Sequence, residues 1–91
     1  MKSIMQTEKE CWVCKKTYPL EEHHIFGGIN RRNSEKTGLK VWLCHNHHNE
    51  PPYGVHYDPN FMLFLHQAGQ RKFEETHTHE EFMKIFGRNY L

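Results

Sequence analysis

The sequence predicts a small α+β domain folded around a metal-binding knuckle. Three observations carry this. A Cys-x-x-Cys pair at Cys11 and Cys14 is matched, roughly 30 residues on, by Cys44-x-x-His47. Two short β-forming segments lie between or beside these pairs, and two amphipathic helical segments follow them. The chain is also short, at 91 residues with 36% hydrophobic content and a mean hydropathy of −0.90. That length allows one domain, and a domain this small exposes much of its surface and often needs a staple such as a metal.

Taken in order, residues 1–9 are polar and non-periodic and are expected to fray. Cys11-Trp12-Val13-Cys14 forms a tight turn. The stretch from Tyr18 to Phe26 has a short strand at its centre, ending at Gly27-Gly28. Residues 27–38, rich in Gly, Asn and Ser, read as a polar loop. Leu39-Lys40-Val41-Trp42-Leu43 alternates and reads as a strand. Cys44 to Glu50 has no strand pattern and fits a short helix that Pro51-Pro52 must stop. Asp58-Pro59 is a helix start. It opens a helix from Pro59 to about Glu75 with Phe61, Phe64, Leu65, Ala68 and Lys72 on one face, widened by Met62 and Phe73. Thr78 and Glu81 form a capping box for a last helix. There Phe82, Ile85 and Phe86 are the buried side and Gly87 the stop.

No apolar run approaches the roughly 20 residues needed to cross a bilayer, and the start lacks a signal-peptide core, so a cytoplasmic protein is expected. Net charge is +1 and the pI about 7.8, less basic than most dedicated DNA-binding domains. The basic residues nevertheless gather around the motifs: Lys15, Lys16, Arg31, Arg32, Lys36 and Lys40. Three cysteines cannot form a closed disulfide set, and clustered Cys and His in a reducing compartment read as metal ligands.

Cys11, Cys14, Cys44 and His47 make a Cys₃His set, ordinary for tetrahedral structural zinc. Two bland readings compete. The cysteines are small buried hydrophobes, or the first pair is a redox motif, for which no βαβ context is present. His47 is the ligand with rivals, since His45 and His48 flank it. Nine histidines exceed what the zinc needs. If the zinc fixes the short helix against the strands, His48 is brought near His23 and His24, and His56 can complete a second group. Neutral imidazoles suit zinc, nickel, manganese or iron, with magnesium not ruled out. His66, His77 and His79 read as structural or surface residues.

Cys-x-x-Cys, then Glu-His-His-Ile, then Leu-Cys-x-x-His-His resembles the HNH endonucleases, most closely the small stand-alone proteins of bacteriophages and prophages. The match covers Cys11 to His56; His24-Ile25-Phe26-Gly27-Gly28 and the ending Ile85 to Leu91 are also similar to that group. The resemblance implies a ββα-metal (His-Me finger) core with a zinc knuckle in residues 10–58 and a helical extension in 59–91. It implies His24 as general base, and His23, His48 and His56 as ligands of one catalytic divalent ion (Mg²⁺, Mn²⁺, Ni²⁺ or Zn²⁺). Two positions depart from the family pattern. The fourth knuckle ligand is usually Cys and is His47 here. The middle Asn, which braces the long loop, is replaced by Leu39, with Asn30 or Asn33 as candidates to substitute.

The expected function is metal-dependent hydrolysis of phosphodiester bonds in DNA. His24 would take a proton from water, the cation would offset charge on phosphate, and Arg31, Arg32, Lys36 and Lys40 would hold flanking phosphates. The resemblance further implies a bacterial or phage-infected cell as setting and phage DNA-packaging machinery as a partner. The alternative is a non-catalytic zinc module that binds DNA or a protein through the basic loop, Trp12 and Tyr53. His23-His24 plus His48 separates the two, because a binding module does not require them.

Overall fold

Strand β1 is Glu21–His24 and strand β2 is Lys40–Leu43. They pair antiparallel in a two-stranded sheet with Glu21 opposite Leu43, Glu22 opposite Trp42, His23 opposite Val41 and His24 opposite Lys40. Because strand side chains alternate between faces, this register sorts the sheet. Glu21 and His23 share one face with Val41 and Leu43, and His23, Val41 and Leu43 are buried. Glu22 and His24 share the other with Trp42 and Lys40.

The computed structural model describes residues 1–91. Four helices accompany the sheet: α1, Arg31–Thr37; α2, His45–His48; α3, Pro59–Phe73; and α4, His79–Phe86. The chain is thus a small α+β fold, as its sequence predicts. Both C-terminal helices start where the sequence indicates. Asp58 accepts from the Asn60 and Phe61 amides, and Thr78 and Glu81 form the full capping box. Gly87 ends α4 in the left-handed region, where a side chain would be strained.

Helix α3 buries Leu65, Gly69, Gln70 and Phe73. Phe64 and Lys72, expected on the buried face, are exposed instead, and Phe64 lies tilted against Trp12 at 5.9 Å between ring centroids. Ile85 of α4 is also exposed. Phe26, just past β1, joins the sheet to the helices. Its ring lies 5.5 Å from Phe82, 4.6 Å from Phe86 and 5.3 Å from Tyr90. Half-buried His66 stacks on the same ring at 5.1 Å, so this histidine has a structural partner. His77 stacks on Phe73 and His79 bonds Glu74, which also gives these two structural partners.

Two segments differ from expectation. Residues 27–38, read as a polar loop, contain a 3-10 turn at Gly28–Asn30 and then α1. Seven residues are too few to hold a helix alone, and this one is held from outside. The Ser34 hydroxyl, fully buried, accepts from the Phe26 amide at 3.0 Å and donates to the Phe26 carbonyl at 2.8 Å. Asn30 and Asn33 bond each other and reach the carbonyls of Phe86 and Ile85. They therefore pin α1 to the end of α4, while Ser34 closes the loop itself. Leu39 packs in the core.

The second segment is the leader. Residues 1–9 lack regular structure but are tied along β2 rather than frayed. The Ile4 amide donates to Gly38, the Trp42 amide donates to the Gln6 side chain at 2.7 Å, and the Ser3 hydroxyl bonds the Lys40 carbonyl. The Trp12 amide donates to the Trp42 carbonyl at 2.8 Å. Backbone groups of a strand edge that would otherwise lack partners are thereby satisfied.

Replacing Ser34 by Ala strands both Phe26 backbone groups in the interior, which costs about 1–3 kcal/mol. In urea unfolding the Ser34→Ala midpoint should fall with an unchanged slope; a midpoint equal to the parent's would show that the hydroxyl does not brace the loop.

Candidate metal centres

The first cluster is assembled at the junction of the knuckle with α2. The knuckle turn is closed by the Lys15 amide donating to the Cys11 carbonyl and the Cys11 amide to the Lys16 carbonyl. Cys44 is the N-cap of α2, and its carbonyl receives the amides of His47 and His48. Cys11 Sγ lies 3.7 Å from His47 Nδ1, Cys44 Sγ lies 3.1 Å from the same atom, and Cys14 and Cys44 Sγ are 3.8 Å apart. All four donor atoms fall within 4.8 Å of one another. Tetrahedral zinc, with bonds of about 2.3 Å to sulfur and 2.05 Å to nitrogen, requires edges of roughly 3.8 Å between sulfurs and 3.6 Å from sulfur to nitrogen. Two of the three distances match, and the Cys44–His47 edge is shorter.

The chemistry of these donors agrees. Burial opposes a charge on Cys11, but the amides of Cys14, Cys44 and Val13 outweigh it and bring the thiol down to about 6. Cys44 is pushed up by burial and by its sulfur neighbours. Crowded thiols that cannot all ionise alone are what a cation relieves. The sequence rival His45 points elsewhere, bonding Glu21 and Glu50 at 3.2 Å each.

The second cluster lies on the buried face of the sheet. His23 comes from β1, His48 from the end of α2 and His56 from the loop beyond Pro51-Pro52, and one nitrogen of each falls within 4.8 Å of the others. Consecutive helix residues point about 100° apart, which lets His47 face the sulfurs while His48 faces His23. His56 is carried back by the chain: the Val55 and His56 amides donate to the carbonyls of His47 and His48. Gly54 makes this return possible, since a Cβ there would lie 2.7 Å from the His48 carbonyl oxygen.

Within this group His48 Nε2 and His56 Nε2 are 3.1 Å apart. His48 Nδ1 donates to Glu21 Oε1 at 2.8 Å. A carboxylate only accepts, so the proton sits on Nδ1 and Nε2 presents a lone pair to its neighbours. His23 Nε2 is the one buried side-chain nitrogen or oxygen without a hydrogen-bond partner. Burial, and then its nearness to His48 and His56, pushes the His23 pKa down to about 3, so the ring is neutral and its lone pair free.

A cleft of about 330 Å³ reaches this group, and its lining includes His23, His24, His48, His56, Arg31 and the acidic Glu22. His24, on the opposite sheet face from His23, borders it at the strand end. Its Nε2 bonds Glu35 at 2.9 Å. Nδ1 has no protein partner and is not fully buried, although the side chain as a whole is only 8% exposed. Arg31, Arg32 and Lys36 are exposed on α1. Lys40 does not join them. Its ammonium is 2.8 Å from Glu35 and 3.4 Å from Glu22, and its side chain is only 12% exposed. It is committed to an ion-pair network, where the sequence reading had it holding phosphate.

The residues missed from sequence are Glu21 and Glu35. Glu21 had a signal, because two-residue alternation puts it beside His23; Glu35 had none, as its placement depends on α1. Comparison with protein-family models, with curated proteins and with solved structures finds no match for this chain. No helix is long and apolar enough to cross a membrane.

Gly54→Val would force the loop off α2 and take His56 from its place. In Co²⁺ titrations the variant should bind at the histidine group at least about tenfold more weakly, with the thiolate absorption of the Cys site intact. Unaltered binding at both groups would show that His56 is no ligand.

Proposed function

We propose that this chain is a metal-dependent endonuclease with a ββα-metal core, hydrolysing phosphodiester bonds in DNA. The observation that carries the reading is the orphaned, buried Nε2 of His23 inside a three-histidine group. An apolar core does not leave such an atom unpaired, and a structural zinc elsewhere in the chain does not call for it. The same cleft carries His24, whose second ring nitrogen has no protein partner, and Arg31, which makes no ion pair, lines its wall.

In this reading Cys11, Cys14, Cys44 and His47 hold a structural zinc. His23, His48 and His56 hold a catalytic divalent cation, which when bound supplies positive charge to a phosphate oxygen and to the leaving oxygen. The all-nitrogen donor set favours a transition metal over Mg²⁺. His24 Nδ1 takes the proton of an attacking water. Glu21 keeps His48 in the tautomer that ligates. Arg31, at the cleft wall, and Arg32 and Lys36 further along α1 bind flanking phosphates without reading bases. This is also the chemistry that the HNH resemblance implies.

His24→Ala should retain both metals and the fold while metal-dependent nicking of plasmid DNA falls about 10²–10⁴-fold. Cutting at the parent rate would remove His24 as the base, and a parent that never cuts, with both sites loaded, would leave the chain a binding module.

Cys14→Ser should lose the structural zinc, and a strong chelator should unfold the parent, because site formation and folding are one equilibrium in so small a core. Metal analysis with circular dichroism checks both; a cooperative melt indifferent to chelator would defeat the structural role.

A further inference from the structure

We infer that Glu35 is the positioning residue of His24: its carboxylate, anchored by Lys40, fixes the imidazole with the proton on Nε2 and the bare Nδ1 toward the cleft. The inference rests on the reading of His24 as the base, but the pairing itself is in the geometry.

The two glutamates on this face divide their oxygens in the same way. Glu35 Oε1 meets His24 Nε2 at 2.9 Å while its Oε2 meets Lys40 Nζ at 2.8 Å. Glu22 repeats the arrangement more loosely, at 3.7 Å and 3.4 Å. Only the Glu35 contact is a hydrogen bond to the imidazole. Lys40 first, and then His24, hold the Glu35 carboxyl far below the usual carboxylate range, so it is charged and can only accept. The proton on that bond therefore belongs to His24, which fixes the tautomer.

The pair is braced on both sides. Lys40 is directly opposite His24 in the sheet, and Glu35 follows Ser34, whose buried hydroxyl is tied to both backbone groups of Phe26. Glu22, His24 and Glu35 also have metal-ligand spacing. The Lys40 ammonium already sits between the two carboxylates, however, so the trio holds no second cation, and only Glu35 bonds the imidazole. When Nδ1 accepts a proton from water, the ring becomes a cation, and Glu35 on the far nitrogen stabilises it. That is the part an oriented carboxylate plays behind a histidine base.

The test has two arms on the metal-loaded chain. In ¹⁵N NMR, with His24→Gln used to assign the resonances, the parent should show His24 protonated at Nε2. Glu35→Gln should shift it toward a mixture of tautomers, while Glu22→Gln should leave it unchanged. In plasmid nicking, Glu35→Gln should lower kcat at least about tenfold, with KM for DNA and the content of both metals as in the parent; Glu22→Gln should stay within about twofold. A parent protonated at Nδ1 overturns the inference without any variant having to fold. So does a Glu35→Gln chain whose tautomer and kcat match the parent's, or one that loses metal in proportion to kcat. If the parent shows the Nε2–H tautomer but never cuts DNA, the nuclease reading fails while the Glu35–His24 pairing stands.

Discussion

Neighbouring residues on a β-strand must point to opposite faces, and this constraint makes two different groups of His23 and His24. With His23 set opposite Val41 and His24 opposite Lys40, one histidine enters the apolar interior and the other an ionic network. A one-residue slip would exchange them. The register is protected on one face by burial of His23, Val41 and Leu43. On the other it is protected by the His24–Glu35–Lys40 contacts. What surrounds the strand reads as the means of bringing partners to each face: α2 and the loop to His56 for one, α1 for the other.

The parts legible in the sequence were those set by short-range rules. The Cys pairs, the cap at Asp58, the box at Thr78 and Glu81, and Gly87 all act within three or four residues, and all appear where expected. The convergence of His23, His48 and His56 was legible once the knuckle was assumed to pin α2. Helix α1 was not, because Gly, Asn and Ser composition describes a loop correctly in the absence of partners. What makes residues 31–37 helical is a serine bonded to Phe26 and two asparagines bonded to the distant end of α4. The leader failed for the same reason. A polar segment has no apolar periodicity to betray it, yet backbone atoms along β2 offer it hydrogen bonds. Glu35 was out of reach because it inherits its place from α1.

Helix α2 is a single turn of four residues. On its own such a turn is unfavourable, since ordering its backbone outweighs the few bonds it makes. Here every end is held. Cys44 caps it, the Val55 and His56 amides close over its carbonyls, and Gly54 lets the chain lie against it. His47 and His48 then extend in different directions from one rigid turn. In the proposed reading a zinc on the His47 side stiffens the position of His48 without touching the substrate, so any loss at the sulfurs would be felt in the cleft as displacement rather than as lost chemistry.

The division of charge follows from the same geometry. The histidine group on the buried face has no carboxylate among its three donors; its one acid, Glu21, sits behind His48 and donates no lone pair to the centre. A divalent ion held there would keep its full double charge against phosphate, where a carboxylate ligand would have cancelled part of it. The carboxylates Glu22 and Glu35 are gathered around Lys40, with the Met1 ammonium also on Glu35, and Glu22 reaches the edge of the cleft. Acid groups are thus present on both sides of β1, yet none lies among the donors that would meet the phosphate. Arg31 at the cleft wall adds positive charge to that side. In the proposed reading an anionic substrate would meet this donor set and Arg31, with Glu22 at the cleft held to Lys40, so the local arrangement would count for more than the formal net charge of +1.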